Sequence, residues 1–278
     1  MIYRIEKTTS TNDDAREAKY VHGDVIWAEQ QTAGRGQRGH KWDSATGDNL
    51  TFSTVLAPTF LPVDEQFLLS EVVALALTET FARHGIEAKI KWTNDIYADD
   101  RKIVGVLIEH MLSSERFERT IVGTGINVNQ TEFDPLLPNP VSMRQLTGMR
   151  YDREAVLEVY LDCLTHYYDM LHSGDKQTIQ QLYRERMYHI DEEHTYALPS
   201  GERFRATIRG VRPSGELRLE HADGTIREYA FKEVEFVLPG RDGMVQPMSA
   251  GGGSRNRRRQ AESVDSRPIK PAATGGGG

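Results

Sequence analysis

Apolar residues recur at three- and four-residue spacing through 153–172, at Val156, Leu157, Tyr160, Leu161, Leu164, Tyr167, Tyr168 and Leu171. A 3.6-residue helix puts these on one face, so the pattern predicts an amphipathic helix. Over 65–84 the pattern differs. Phe67-Leu68-Leu69 and the run from Val72 to Leu77 are apolar on every side, as in a helix buried against a sheet, and Gly85 suits its terminus. A further helix is expected over 176–187. Near the N-terminus Thr8, Thr9, Ser10, Thr11 and Asn12 precede Asp13 and Asp14. Such residues favour helix caps and acidic first turns, so a helix is expected near 12–20, capped at Ser10 or Thr11.

The remaining apolar runs are short and read as strands: 2–5, 25–28, 50–56, 89–92, 102–109 and 120–129. Asp99-Asp100-Arg101 reads as a hairpin turn, and Pro135, Pro138 and Pro140 mark a loop. After residue 194 the texture changes. Strands are expected over 196–198, 203–211, 217–220, 227–231 and 234–238, with Pro-Ser-Gly or Ala-Asp-Gly turns between the first four. This is a small, barrel-like β module. Residues 239–278 are rich in Gly, Ser and Arg and hold little that could enter a core. They read as a dispensable flexible tail or linker.

Composition narrows the classes. A chain of 278 residues accommodates one domain or two small ones. Its formal net charge of -7 argues against general nucleic-acid binding. No apolar run approaches the ~20 residues of a membrane helix, and no signal-peptide pattern opens the chain. Cys163 is the sole cysteine, so no intrachain disulfide forms and a reducing cytoplasm fits. A cytoplasmic protein without membrane contact is expected.

Against this acidic background one loop stands out. Gly34, Gly36 and Gly39 interleave with Arg35, Arg38 and Lys41, and Trp42 closes the run. Glycines let a backbone approach a ligand, and cations with free N–H groups suit phosphate. Trp42 offers a face on which a purine could stack. The loop is followed by a strand, which excludes the dinucleotide fingerprint, and no Gly-Lys-Ser/Thr makes it a P-loop. Taken alone it is a basic surface loop. Lys91, Asn94 and Asp95, after a strand, could serve a nucleotide and Mg²⁺, although alone they read as a turn. Lys102 opens a strand and would ordinarily be a solvated strand end.

The spacing with Trp42 makes the loop specific. Gly34-Arg35-Gly36-Gln37-Arg38-Gly39-His40-Lys41-Trp42 resembles the Gly-Arg-Gly-Arg-Arg-Gly-Arg-x-Trp signature of the biotin protein ligases, departing from it at Gln37 and His40. Three more elements are similar to that family in the same order: Ser10-Thr11-Asn12; Lys91-Trp92-Thr93-Asn94-Asp95, with Thr93 in place of Pro; and Lys102-x-x-Gly105-x-Leu107-x-Glu109. Gly123-Thr124-Gly125-Ile126-Asn127-Val128-Asn129 follows suit. The resemblance covers roughly 1–238.

It implies an α+β fold: a mixed sheet flanked by helices, of the class II synthetase-like kind, in a catalytic domain over 1–190, with an SH3-like β domain over 191–238. It implies a monofunctional ligase that joins biotin and ATP to biotinoyl-5′-AMP, then transfers biotin to a lysine of the carrier domain of a biotin-dependent carboxylase. Biotin and ATP are the substrates, and Mg²⁺ assists. Biotin would be held by Ser10, Thr11, Asn12, Gln31, Arg35, Gly36, Gln37, Lys102 and Gly105. ATP would be held by Arg38, His40, Trp42, Lys91, Asn94, Asp95 and Asn127, with Asp95 and Asn94 on the metal. Lys102, Arg35 and Arg38 would stabilise the charge of the reaction. Gln37, neutral where the family has Arg, predicts a leakier adenylate. The family includes DNA-binding repressors, but only nine residues precede Ser10, so no N-terminal helix-turn-helix and no DNA partner are expected. A homodimer is compatible with all of this. The rival readings are a lipoate or octanoyl ligase or transferase of the same fold, and a silent biotin-binding protein.

Overall fold

The computed structural model describes residues 1–36 and 41–237. Its first seven strands are β1 (Ile2–Thr8), β2 (Val25–Gln31), β3 (Leu50–Leu56), β4 (Lys89–Lys91), β5 (Asp95–Ala98), β6 (Arg101–Ser113) and β7 (Arg116–Ile126). They form one sheet in the order β1-β2-β3-β7-β6-β5-β4. β1 and β2 are parallel and all other neighbours antiparallel, so the sheet is mixed, as expected. Asp99 and Asp100 both take positive φ, 47° and 58°, in the turn between β5 and β6. That is the backbone of a tight two-residue hairpin.

One face of the sheet carries α2 (Phe67–Arg83) and α4 (Arg153–His172). Side chains alternate between faces along a strand. Phe52 therefore packs against Tyr160 of α4, while its neighbour Ser53 faces the opposite way and meets Asn12. α2 is buried nearly all round from Phe67 to Phe81. It ends at Gly85, whose φ of +72° fits the terminating role. α4 is capped by Asp152, which accepts from Glu154 N. The short α3 (Met143–Thr147) carries a capping box between Ser142 and Gln145.

Two helices are shorter than their patterns suggest. α1 spans Thr11–Asp14 instead of reaching 20. Ser10 is the N-cap residue, but its side chain makes no capping bond. Beyond Asp14 the Arg119 guanidinium donates to the carbonyls of Ala15 and Glu17. Those carbonyls are the acceptors a continuing helix would need. α5 (Lys176–Glu185) stops two residues early because 186–188 joins the sheet edge. Ile90 N donates to Arg186 O and Tyr188 N donates to Ile90 O.

The second sheet comprises β8 (Glu193–Ala197), β9 (Arg203–Val211), β10 (Leu217–His221), β11 (Ile226–Tyr229) and β12 (Glu235–Phe236). All neighbours are antiparallel, in the order β11-β10-β9-β8-β12. This agrees with the SH3-like module expected after the helices. Its β9–β10 turn packs into the start of α2. A Cβ on Gly215 would lie 2.8 Å from Phe67 Cδ2, and Gly215 O accepts from the Trp92 indole. Among the described residues, no helix is long and apolar enough to cross a membrane.

Candidate active site

The face of the sheet away from α2 and α4 holds a trough with a polar end and a cationic end. Its floor is glycine. Gly105 of β6 lies opposite Gly125 of β7, and Gly123 lies two residues along β7, on the same face. The three have no side chain because others occupy the space. A Cβ on Gly125 would stand 2.1 Å from Trp42 Cε2, one on Gly105 would stand 2.7 Å from Trp42 Cζ3, and one on Gly123 would stand 2.0 Å from Asn12 Oδ1. The Trp42 indole thus lies across the Gly105–Gly125 pair. Its N–H is buried without a hydrogen-bond partner among the described residues. The loop that carries it is pinched at its base, where Trp42 N donates to Gly34 O and Arg35 bridges to Lys41.

The polar end begins at α1. Gln31 Oε1 accepts from the Thr11 backbone N–H at 2.8 Å and lies 3.1 Å from Thr11 Oγ1. Ser53, fully buried, donates its hydroxyl to Asn12 Oδ1 at 2.6 Å and lies 2.7 Å from Thr11 Oγ1. Asn12 Nδ2 donates to Glu109 at 2.8 Å. The amide is thereby oriented from both ends. Arg16 and Arg35 also donate to Glu109, and Arg35 donates to Asp13 at 2.6 Å. A hydroxyl, amides and guanidiniums converge here, able both to donate and to accept.

At the cationic end Lys102 donates to Asp95 at 2.8 Å, and the two side chains are 31% and 30% exposed. They are accessible to a ligand while held in place. The backbone of Lys102 is clamped from the other side: its N–H donates to Asn139 O, and its carbonyl accepts from Val141 N. Lys102 Cε lies 3.4 Å from where a Gly105 Cβ would be. Gly105 and Leu107, the residue opposite Gly123, are two apart on β6. The two ends are therefore separated by roughly 7 Å of strand.

Not every expected site residue reaches the trough. Asn94 is 4% exposed; its amide donates to Val106 O at 3.0 Å and accepts from Thr93. Asn127 is equally buried, donates to Val141 O and lies 3.5 Å from Lys102 O. Both brace the strands that carry Lys102. Lys91 Nζ stands 4.7 Å from the Phe236 ring centroid and 5.2 Å from that of Tyr97. Ser10 is buried, and its carbonyl accepts from Asp13 and Asp14. Gly36 is half-buried at the edge of the described segment. Gln37, Arg38 and His40 lie outside the described residues, as does the 239–278 tail.

Ser53, Glu109, Gly123 and Gly125 join this candidate site; the last three stand in the family-like motifs, yet no ligand role follows for them from sequence. The glycines had a signal: two of them at i and i+2 on a strand share a face. Ser53 had none, being one hydroxyl in an apolar strand.

A family model described as "Biotin/lipoate A/B protein ligase family" matches residues 1–127. The bifunctional ligase/repressor BirA of Bacillus spizizenii is 30% identical, over 83% of this chain and 72% of that protein. A biotin–[acetyl-CoA-carboxylase] ligase of Mycobacterium tuberculosis is 27% identical, over 80% of this chain and 84% of its own. Among solved structures, the biotin protein ligase from Aquifex aeolicus in complex with biotin and ATP superimposes with a TM-score of 0.73. It is 26% identical, covering 85% of this chain and 99% of that one.

Proposed function

The chain belongs to the biotin/lipoate A/B protein ligase family, and from that premise we propose how it acts as an ATP-dependent biotin–protein ligase. The observation that carries the reading is the glycine-floored trough, which joins an amide-recognising end to the Lys102–Asp95 end. Biotin has matching parts: a ureido ring that donates and accepts, an apolar chain, and a carboxylate. The ring meets Thr11, Asn12 and their supports Ser53, Gln31 and Glu109. The chain runs along the Trp42 indole, which itself covers Gly125 and Gly105 and whose N–H, unpartnered among the described residues, is a donor for an incoming acceptor. The carboxylate reaches Lys102.

In the first step a biotin carboxylate oxygen attacks the α-phosphorus of ATP, the bond to pyrophosphate breaks, and biotinoyl-5′-AMP forms. Two anions must meet, so cations have to offset their repulsion and the charge on the phosphate oxygens. Lys102 is placed for this. Asp95 orients Lys102 until the ligand carboxylate takes over the contact. In the second step a lysine amine of a carboxylase carrier domain attacks the acyl carbon, loses a proton, and expels AMP. Lys102 then polarises the acyl oxygen.

The donor set fits Mg²⁺ through Asp95 alone. Mg²⁺ needs few protein carboxylates when substrate phosphates and water complete its shell. The half-exposed Asp95 suits that, whereas the buried Asn94 amide is engaged with Val106 O. When bound there, the ion supplies charge neutralisation at the phosphates. The test is radiolabelled ATP–pyrophosphate exchange with biotin, with lipoate and with neither. Exchange that depends on biotin is expected; equal or greater exchange with lipoate overturns the substrate assignment.

A further inference from the structure

A second cavity lies between α2, α5 and the β9–β10 hairpin. Its volume is about 420 Å³, and its walls include Glu71, Gln177, Tyr183, Arg184, Arg209 and Arg218. That volume is within the range of small-ligand sites. Nothing in the ligation reaction uses it. Two groups of opposite sense line it. Glu71 is 3% exposed, and its Oε2 is buried without a hydrogen-bond partner among the described residues. Burial alone pushes its carboxyl up to about 8. Arg218 is 41% exposed and pairs with Glu228 Oε1 at 3.8 Å, but its Nε atom is buried and makes no hydrogen bond among the described residues. A buried acceptor lacking a donor and a buried donor lacking an acceptor are each destabilising.

The other cations of the cavity are already neutralised from outside. Arg184 pairs with Asp191 at 2.6 Å, and Arg209 pairs with Asp191 and Glu220. The wall is therefore close to neutral, with one unmet carboxyl and one unmet guanidinium N–H. An amine alone would satisfy Glu71 and place an extra cation among arginines. A carboxylic acid alone would satisfy Arg218 and face Glu71. A molecule carrying both groups satisfies both: its ammonium displaces the Glu71 proton to solvent, and it brings no net charge of its own.

We propose that this cavity binds a small amino-acid zwitterion, with its ammonium on the Glu71 carboxylate and its carboxylate accepting from Arg218. The experiment is calorimetric titration and thermal denaturation of the full chain with each proteinogenic amino acid at millimolar concentration. Butylamine and butyrate serve as single-group controls. The expected result is that at least one amino acid binds and raises the melting temperature, with each control at least tenfold weaker. Glu71→Gln and Arg218→Gln should each weaken that binding at least tenfold, because each removes one ionic partner. Both variants should keep biotin-dependent pyrophosphate exchange, which also reports that they fold. If Arg218→Gln does not fold, Arg218→Lys keeps the charge and loses the Nε donor, and the same loss is expected. Absence of binding by every amino acid means that the cavity holds only water and overturns the proposal. So does binding that survives both substitutions, or that a control matches.

Discussion

Asn12 lies across Gly123 so closely that a Cβ on the glycine would come within 2.0 Å of Asn12 Oδ1. No carbon tolerates that distance, so the missing side chain of one residue sets the position of the other. Gly123→Ala should push Asn12 off both Ser53 and Glu109 while leaving the Lys102 end intact. The Michaelis constant for biotin in pyrophosphate exchange should rise tenfold or more, about 1.4 kcal/mol per decade, with that for ATP nearly unchanged. An unaltered biotin constant in a folded variant would remove Asn12 from biotin recognition.

Ser53→Ala tests the same amide from below. Its hydroxyl is the donor to Asn12 Oδ1 at 2.6 Å in a fully buried setting. Removing it leaves an acceptor unmet, which costs on the order of 1–3 kcal/mol. We expect weaker biotin binding by calorimetry with secondary structure preserved. Unchanged affinity would mean that the amide finds another donor.

Lys102→Ala should impair adenylation far more than folding, since the Lys102–Asp95 pair is partly exposed and both side chains can rehydrate. Losing a charge-assisted contact to the reacting carboxylate should cost on the order of 2–4 kcal/mol in the transition state. Single-turnover formation of the adenylate measures it, and a near-wild-type rate in a folded variant counts against the role.

Glu71 predicts a pH dependence of stability. Burial raises its carboxyl from the usual 4.5 to about 8. Below pH 4.5 it is neutral in both folded and unfolded chains. Between 4.5 and 8 only the unfolded chain ionises, so stability falls as pH rises; above about 8 the loss levels off. At ~1.4 kcal/mol per unit the full effect is on the order of 4–5 kcal/mol. Glu71→Gln should flatten this slope, becoming more stable relative to wild type between pH 5 and pH 9 in urea unfolding. Parallel slopes for the two proteins would place the Glu71 carboxyl in contact with water.

Much of this protein follows from its sequence alone. The amphipathic period of 153–172 matches α4 from end to end, because a long helix with one apolar stripe has one way to bury it. The all-round apolar run of α2 and the Gly85 stop follow equally from local chemistry. So does the set of short strands after residue 194, where Pro, Ser, Asp and Gly turns delimit each segment. Motif spacing singled out Thr11, Asn12, Trp42, Asp95, Lys102 and Gly105, and strand pairing sets Asn12 by Gly123, Trp42 over Gly105 and Lys102 on Asp95.

Tertiary structure decided the rest. α1 stops at Asp14 because Arg119, more than a hundred residues away, takes the carbonyls of Ala15 and Glu17. Asn94 and Asn127 are chemically fit to meet a nucleotide, yet strand packing turns their amides onto Val106 O and Val141 O. Ser53 and Glu109 enter the site through the β3–β7–β6 pairing, which sets them beside Asn12. Local sequence encodes which conformations and donors are available. Only the register of distant strands decides which of them face the same trough, because a shift of one residue would turn each side chain to the other face of the sheet.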